Sequence, residues 1–200
     1  DQFPADGIVL LGSSRVVGMN YIRETFPNTV TVTDRLENNS ELILFDGENG
    51  IRSMVEHLAK LGYRRLGFIS GYIDSRYDGF VSTVREWQLD SDPQLIQIVE
   101  HGPRSGWTPQ MGEHAVQQLM CLEHPPEAIV CGSDRMAIGA MQWLHQNGYR
   151  IPHDIAVTGF DNIPDSEFTF PTLTTVHVHK ELLGALAIER IVRRIENPDE

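Results

Sequence analysis

Polar side chains follow two apolar stretches in the second half of the chain. Ser133 and Asp134 follow the stretch AIVC at 128–131 after a single glycine, and Asp161 comes directly after IAVTGF at 155–160. Short apolar runs of this kind are typical of parallel strands that are covered on both faces. Because ligands bind outside the carboxyl ends of such strands, we expect these three residues to lie at one edge of a sheet. Their hydroxyl and carboxylate oxygens can bind the hydroxyl groups of a polar ligand there.

Each of these three residues also has a structural interpretation. Ser133 is placed to act as the N-cap of the helix that follows, and Asp134 would interact favourably with the dipole of that helix from its first turn. Asp161 can form an Asx turn with Asn162 ahead of Pro164. For Ser133, the capping role and the ligand contact are both open on the sequence alone.

The elements that must position these residues alternate between strand and helix along almost the whole chain, which predicts an α/β fold with parallel sheets. Asn147 and Gly148 mark the end of the helix after Ser133, and Gly62 marks the end of the helix between residues 46 and 62. We predict strands at 7–12, 29–33, 41–45, 65–70, 95–99, 128–131, 155–160 and 173–178, and further helices at 15–25, 76–88, 109–121 and 181–195.

Composition excludes several classes of function. The 200 residues include 28 Asp and Glu against 16 Lys and Arg, a formal charge of −12, so the surface as a whole repels nucleic-acid phosphates. No apolar run reaches the roughly 18 residues that a membrane-spanning helix requires, so we expect no membrane partner. Cys121 and Cys131 are the two cysteines, and the apolar strand around Cys131 favours a reduced buried thiol. A reduced thiol in turn favours a cytoplasmic location.

Six phrases resemble the effector-binding domain of LacI/GalR-type bacterial transcription regulators: "DGIVLLG", "EHLAKLGYRRLGFISG", "SRYDGF", "PPEAIVCGSDRMAIGAM", "IPHDIAVTGFDN" and "FPTLTTV". Their order and spacing cover nearly the entire chain. The resemblance implies a type I periplasmic-binding-protein-like fold, with two Rossmann-like lobes that close on a small molecule. It assigns residues 1–46 plus 177–200 to an incomplete first lobe and residues 47–176 to the second lobe.

The resemblance also implies partners. Family members carry a helix-turn-helix headpiece and a hinge before the first lobe, and neither is in these 200 residues, so we expect a fragment that is trimmed at both ends. Operator DNA would be bound through the headpiece that is missing from this chain, and the protein would be a homodimer. The segment at 167–179 is similar to repressors of β-galactoside operons, which makes a sugar or glycoside the expected effector.

Further site residues are implied by the resemblance. Arg76 in "SRYDGF" would hold effector hydroxyls or carboxylates through its guanidinium, where a solvated helix residue is the alternative. Trp107 would stack on the apolar face of a sugar, or else anchor its loop on the core. Asp34, at the end of the predicted strand 29–33, would border the cleft unless Arg35 simply neutralises it. The family position of Asp161 faces the effector, and that of Ser133 is usually Asn.

Catalysis and metal binding have less support. His177 and His179 have the spacing that places two side chains on one side of a strand, but no third ligand lies at a recognisable spacing, and the resemblance places the pair at a crossover between the lobes. The motifs of serine hydrolases, P-loop proteins and dinucleotide-binding enzymes are absent. We therefore expect no enzyme activity, catalytic residue, metal or cofactor.

The sequence thus predicts the effector-binding and dimerisation region of a LacI/GalR-type transcriptional regulator, most simply a repressor. A periplasmic sugar-binding protein of a transport system is the alternative, because it shares the fold and the pocket. Helix-turn-helix sequence before Asp1 would indicate the regulator, and a signal peptide there would indicate the transport protein.

Overall fold

The computed structural model describes residues 5–12, 19–34, 41–99 and 107–197 and contains eight strands and six α-helices within these ranges. The strands are β1 Ile8–Leu11, β2 Thr29–Thr33, β3 Glu41–Leu44, β4 Leu66–Ser70, β5 Ile96–Ile98, β6 Ala128–Cys131, β7 Ala156–Asp161 and β8 Thr174–His177. The helices are α1 Met19–Thr25, α2 Gly47–Lys60, α3 Ser75–Glu86, α4 Pro109–Met120, α5 Asp134–Gln146 and α6 Lys180–Glu196, and short 3-10 helices span Pro93–Leu95 and Pro164–Phe168.

The chain divides into two compact units, each with its own sheet. The first unit contains residues 1–46 and 179–200, and the second contains residues 47–178. All strand pairs in both sheets are parallel. The predicted α/β class with parallel sheets is therefore confirmed, and the lobe boundary predicted after residue 176 lies two residues from the division between these units.

The first unit has a three-stranded sheet in the order β1-β2-β3. The central strand β2 is buried along its whole length. One face of the sheet packs against α6, which contributes Ala187 and Ile191 to a small core with Val30, Val32 and Ile43. Leu11 at the end of β1 and Leu44 at the end of β3 are exposed.

The second unit has a five-stranded sheet in the order β5-β4-β6-β7-β8. Strands β4 and β6 are buried at every position, as their uninterrupted apolar sequences predict. Helices α4 and α5 form a core cluster with the sheet of this unit, which includes Ile129 of β6 and Met136 and Leu144 of α5. No helix in the described part of the chain is long and apolar enough to cross a membrane.

The predicted helix ends are set by the residues that the sequence marked. Ser133 caps α5 by accepting a hydrogen bond from the backbone N–H of Met136 at 3.3 Å, which confirms its N-cap role. Gly62 and Gly148 have φ angles of 101° and 81°, so both adopt the left-handed conformation that ends a helix. Strand β5 is shorter than predicted because Asp92 and Pro93 initiate the 3-10 helix Pro93–Leu95 directly before it. Residues 15–18 of the first predicted helix lie outside the described ranges.

Helices α4 and α5 are in direct backbone contact through two glycines. A Cβ atom at Gly112 of α4 would overlap with the carbonyl oxygen of Met136, and one at Gly139 of α5 would overlap with the carbonyl oxygen of Pro109. Any larger residue at either position would force the helix axes apart, because the atoms in the way belong to the backbone. The pair of glycines therefore fixes the separation of α4 and α5.

Candidate functional site

Five of the six predicted site residues lie in the second unit, in segments that follow strands or precede helices. Arg76 follows β4, Ser133 and Asp134 follow β6, Asp161 ends β7, and Trp107 precedes α4. Because β4, β6, β7 and β8 are consecutive neighbours in a parallel sheet, their carboxyl ends form one continuous edge.

The guanidinium of Arg76 is held in a fixed position at this edge. Its Nε donates to the carboxylate of Asp74 at 3.1 Å, and its Nη1 donates to the carbonyl oxygen of Gly132 at 3.1 Å. Asp74 is itself the N-cap of α3, where it accepts the backbone N–H of Arg76 at 3.0 Å. The predicted alternative, a solvated helix residue, is disfavoured because 13% of the Arg76 side chain is exposed.

Trp107 packs against Arg76 and against two glycines. The guanidinium carbon of Arg76 lies 4.0 Å from the centroid of the indole ring, a cation–π distance. A Cβ atom at Gly71 would lie 2.5 Å from the indole Nε1, and one at Gly132 would lie 2.9 Å from Cζ3, so the ring fits only because both residues lack side chains. The ring of Tyr72 is 6.1 Å away, centroid to centroid. Trp107 is half-buried, and residues 101–106 of its loop lie outside the described ranges.

Asp134 is fully buried and is bonded inside the protein. Its Oδ2 accepts the backbone N–H of Ile163 at 2.7 Å, and its Oδ1 accepts the hydroxyl of Thr175 at 2.5 Å. Burial, together with the Asp134 charge, raises the pKa of the neighbouring Cys131 thiol, which is therefore protonated and unreactive. The contact of Asp134 with an effector stays a prediction, as does that of Ser133, which is 4% exposed.

The turn after β7 has an unusual backbone. Asp161 and Asn162 have φ angles of 111° and 54°, a region that residues other than glycine rarely adopt. Such conformations are concentrated at functional sites, where surrounding contacts hold them. The N–H of Ile163, which an Asx turn at Asp161 would use, donates to Asp134 instead. Asp161 is half-buried at the edge of the sheet, and its binding role stays a prediction.

Asp34 and His177 were also considered from the sequence. Asp34 directly follows β2 in the first unit and is half-buried, while Arg35, its proposed partner, lies outside the described ranges. His177 is exposed, and its Nδ1 is 3.0 Å from the side-chain nitrogen of Asn162. Among the described residues, no group of three His, Cys, Asp or Glu side chains is close enough to bind a metal ion.

Two residues that contribute to this edge were not singled out from the sequence. Asp74 holds Arg76, and an Asp two residues before a predicted helix is a recognisable N-cap signal. Thr175 accepts the backbone N–H of Asn162 at 3.3 Å and donates to Asp134. Its role had no sequence signal, because it depends on the pairing of β7 with β8.

Comparison with known proteins defines the class. The family model of the periplasmic binding protein-like domain matches residues 55–200, and the chain belongs to this family. The chain is 31% identical to the HTH-type transcriptional repressor PurR of Haemophilus influenzae across its whole length, which is 56% of that relative. It is 33% identical to the repressor of the same name from Glaesserella parasuis over 72% of this chain and 42% of the relative.

Solved structures agree with this assignment. A putative LacI transcriptional regulator from Bacillus cereus subsp. cytotoxis has a TM-score of 0.87 at 25% identity, covering 98% of this chain and 70% of that one. A LacI family regulator from Lactobacillus casei with bound sucrose has a TM-score of 0.82 at 25% identity, over 96% of this chain and 71% of that one. Within its family, the chain is an effector-binding domain of the LacI/GalR type. It spans about half the length of the curated relatives it matches.

Proposed function

We propose that this chain is the ligand-sensing part of a transcriptional repressor and that it binds a small sugar or glycoside at the edge formed by Arg76, Trp107 and Asp161. The observation that carries the proposal is the fixed position of the Arg76 guanidinium. Three of its five N–H groups are used within the protein, by Asp74 and Gly132, so the side chain is held in place before a ligand arrives. A preorganised donor loses little entropy when it binds a ligand oxygen.

Arg76 and Asp161 have complementary chemistry toward a polyol. The guanidinium donates hydrogen bonds and has no acceptor, while the carboxylate accepts from one or two hydroxyls. A sugar offers both functions on adjacent carbons. Sucrose and glucose are the ligands of two similar structures of the Lactobacillus casei regulator, which supports the sugar class for this chain as well. The narrower expectation, a β-galactoside, belongs to the same proposal.

The aromatic contact admits a second ligand class. Trp107, Tyr72 and the Arg76 guanidinium form a group of flat surfaces at the same edge. Flat surfaces of this kind suit the apolar face of a pyranose, and they suit a planar purine equally well. Purines are therefore the second candidate, and a binding screen separates them from sugars.

In the proposed mechanism, the effector shifts a conformational equilibrium. A ligand changes the population of two states only if it binds them with different affinity. The repressor would be a cytoplasmic homodimer, and operator DNA would be bound by a headpiece outside these 200 residues. Phe168 and Phe170 are exposed at 85% and 88% of their full accessibility and would provide apolar surface for the dimer contact.

A periplasmic sugar-binding protein for transport is the alternative function, because it uses the same fold. The two are separated by reading the gene upstream of the codon for Asp1. Sequence for a helix-turn-helix supports the repressor, and sequence for a signal peptide supports the transport protein. An enzyme of sugar metabolism would be revealed by products after incubation with the sugars of the screen.

A melting-temperature screen tests the ligand class. Galactose, lactose, glucose, sucrose, pentoses and purines are added one at a time to the longest available form of the protein. A ligand at a hundred times its Kd adds about 2.7 kcal/mol of stability, which is readily measured. Stabilisation by sugars alone supports the proposal, and stabilisation by purines alone contradicts its ligand class.

Substitutions then test the site. Arg76→Ala and Asp161→Ala should each weaken ligand binding by about 1.5 to 3 kcal/mol, the scale of hydrogen bonds to charged groups. Arg85→Ala on the same helix and Asp165→Ala in the following 3-10 helix are matched controls, because both side chains are exposed. Unchanged affinity in Arg76→Ala and in Asp161→Ala would show that the effector binds elsewhere.

The Trp107→Ala variant distinguishes stacking of the indole on the ligand from anchoring of the loop on the core. If the indole binds the ligand, the variant loses affinity and retains most of its stability. If the variant instead unfolds, the packing of the ring on Gly71 and Gly132 is its main role. Isothermal titration and urea denaturation of the same sample give the two quantities.

A further inference from the structure

The buried carboxylate of Asp134 connects three segments of the second unit. It belongs to the first turn of α5, accepts the N–H of Ile163 from the turn after β7, and accepts the hydroxyl of Thr175 from β8. Gly159 of β7 lies directly against it, because a Cβ atom at that position would overlap with Oδ1. Two hydrogen bonds and the helix dipole together offset the cost of burying this group.

The segment that Asp134 holds is the turn with the unusual backbone. Three consecutive residues are involved: Asp161 and Asn162, which have positive φ angles, and Ile163, which donates directly to Asp134. The N–H of Asn162 donates to Thr175, whose hydroxyl donates in turn to Asp134. Two successive N–H groups of the turn are therefore bound to Asp134, one directly and one through Thr175.

We propose that Asp134 is a positioning residue for effector binding: it does not touch the effector, but holds the Asp161–Asn162 turn in the conformation that presents the Asp161 carboxylate. This inference rests on the proposed function of Asp161. It also gives Thr175 a role, as the link between the carboxylate and the N–H of Asn162. A fully buried carboxylate with both oxygens bonded is suited to this role and unsuited to contact with a ligand in solvent.

The physical reason is the strain in the turn. Backbone angles of this kind persist only where surrounding contacts over-determine them. If Asp134 or the Thr175 hydroxyl is removed, the turn can relax toward ordinary angles, and the Asp161 side chain moves with it. Affinity for the effector would then fall although every side chain that touches the effector is still present.

Thr175→Val is the main test, because valine has nearly the same shape and lacks the hydroxyl. Thr175→Ser keeps the hydroxyl and should behave like the wild type. Thr174→Val, at the exposed neighbouring position of β8, is the matched control for placing valine in this strand. Asp134→Asn is a second variant that keeps the size of the side chain and removes its charge.

The first measurement needs no ligand. Three-bond couplings from the Asp161 Cγ to its backbone nitrogen and carbonyl carbon report the χ1 rotamer by NMR in the folded protein. We expect one rotamer in the wild type, Thr175→Ser and Thr174→Val, and averaging over rotamers in Thr175→Val. A merely structural role would lower stability and leave these couplings unchanged. Unchanged couplings in folded Thr175→Val overturn the proposal, whether or not Asp134→Asn folds.

The second measurement uses glucose, sucrose and each stabilising ligand from the screen as probes in a double-mutant cycle. Thr175→Val should lower affinity about tenfold, equivalent to 1.4 kcal/mol. It should lower affinity no further in an Asp161→Ala background, because its effect acts through Asp161. Additive losses in the double variant contradict the positioning role.

The outcomes also separate this inference from the proposed function. If the χ1 couplings change as expected and Asp161→Ala leaves the affinity for every probe unchanged, then Asp134 positions a residue that does not bind the effector, and both the binding role of Asp161 and the inference that rests on it fail. If Asp161→Ala weakens binding and Thr175→Val changes neither couplings nor affinity, the site stands and the positioning role fails.

Discussion

Helices α5 and α6 carry similar numbers of apolar residues but bury them to very different extents. Helix α5, in the second unit, has 13 residues, and its buried apolar residues are Met136, Ala137, Ala140, Met141 and Leu144. Helix α6, in the first unit, has 17 residues, and its buried residues are Ala187 and Ile191. Four further apolar side chains of α6 are exposed by 40% or more: Leu182, Ile188, Val192 and Ile195.

An amphipathic pattern shows which residues of a helix can be buried. The elements that pack against the helix determine which of them are buried. Helix α5 packs against α4 and against a five-stranded sheet. Helix α6 packs against a three-stranded sheet whose outer strands are only partly buried. We therefore expect the second unit to be the more stable of the two. All three tryptophans, Trp87, Trp107 and Trp143, lie in the second unit, so their fluorescence reports on that unit alone.

The largest effect is expected from truncating a leucine in each helix. Leu144→Ala in α5 removes a fully buried side chain and should lower the free energy of unfolding of the second unit by about 3 to 4 kcal/mol. Leu182→Ala in α6 removes a side chain that is 56% exposed and should cost less than about 0.5 kcal/mol. Urea denaturation followed by tryptophan fluorescence and by circular dichroism measures both. Similar losses of stability in Leu144→Ala and Leu182→Ala would mean that the exposed side of α6 packs against another protein surface in solution.

The second test makes the same Gly→Ala substitution in each helix. We expect the change in the free energy of unfolding to have opposite signs at the two positions. Gly139→Ala in α5 places a methyl group against the Pro109 carbonyl and should destabilise by about 2 to 3 kcal/mol. Gly184→Ala in α6 meets no atom within 4 Å and should stabilise by up to about 1 kcal/mol, because alanine favours the helix. Thermal unfolding by circular dichroism gives both values. A neutral Gly139→Ala would show that α4 and α5 can separate without cost.

A smaller contrast is expected between two arginines. Arg65 in the second unit is 18% exposed, pairs with Asp90 and Asp92, and donates to the carbonyl of His124 at 2.7 Å. Arg65→Ala should cost about 1 to 2 kcal/mol. Arg190 in the first unit pairs with Glu41 but is 48% exposed, so Arg190→Ala should cost less than about 0.5 kcal/mol. If the two variants lose equal stability in urea titrations, burial does not distinguish these pairs.

The smallest effect concerns Asp154, an exposed residue of the second unit. Its hydrogen bonds from Arg150 lower the pKa of the carboxyl group to about 2, below the ordinary value of 3.8. A depressed pKa stabilises the folded state above the unfolded value, so this contribution is lost as the pH falls from about 4 to 2. The effect is small because water screens the pair. Carboxyl chemical shifts across this range measure the pKa, and it should return toward 3.8 in Arg150→Ala.

Much of the second unit is predictable from local patterns. The strand Ala128–Cys131, the Ser133 cap and the left-handed Gly148 were all marked by neighbouring residues in the sequence. The edge that collects Ser133, Asp134 and Asp161 follows from the rule that parallel strands end on the same side, whereas Arg76 was implied by the resemblance. What could not be predicted is how each side chain is used within that edge.

The hydrogen bond between Asp134 and Thr175 is one contact that the sequence could not predict. The two residues are 41 residues apart in sequence, and their hydrogen bond depends on which strands are neighbours and on the register in which Gly159 lies opposite Thr175. The contact of Trp107 with Gly71 and Gly132 has the same origin, since it joins the ends of β4 and β6 to the start of α4. Periodicity along one segment carries no information on contacts of this kind.

The backbone contact between α4 and α5 matters to anyone who redesigns the specificity of this domain. Trp107 lies just before the first of these helices, and Ser133 caps the second. Because Gly112 and Gly139 fix the separation of the helices, substitutions at position 107 can be combined with the capping residues Ser, Thr, Asn and Asp at position 133 in one library on an unchanged scaffold. The two glycines are the positions that such a library must leave constant.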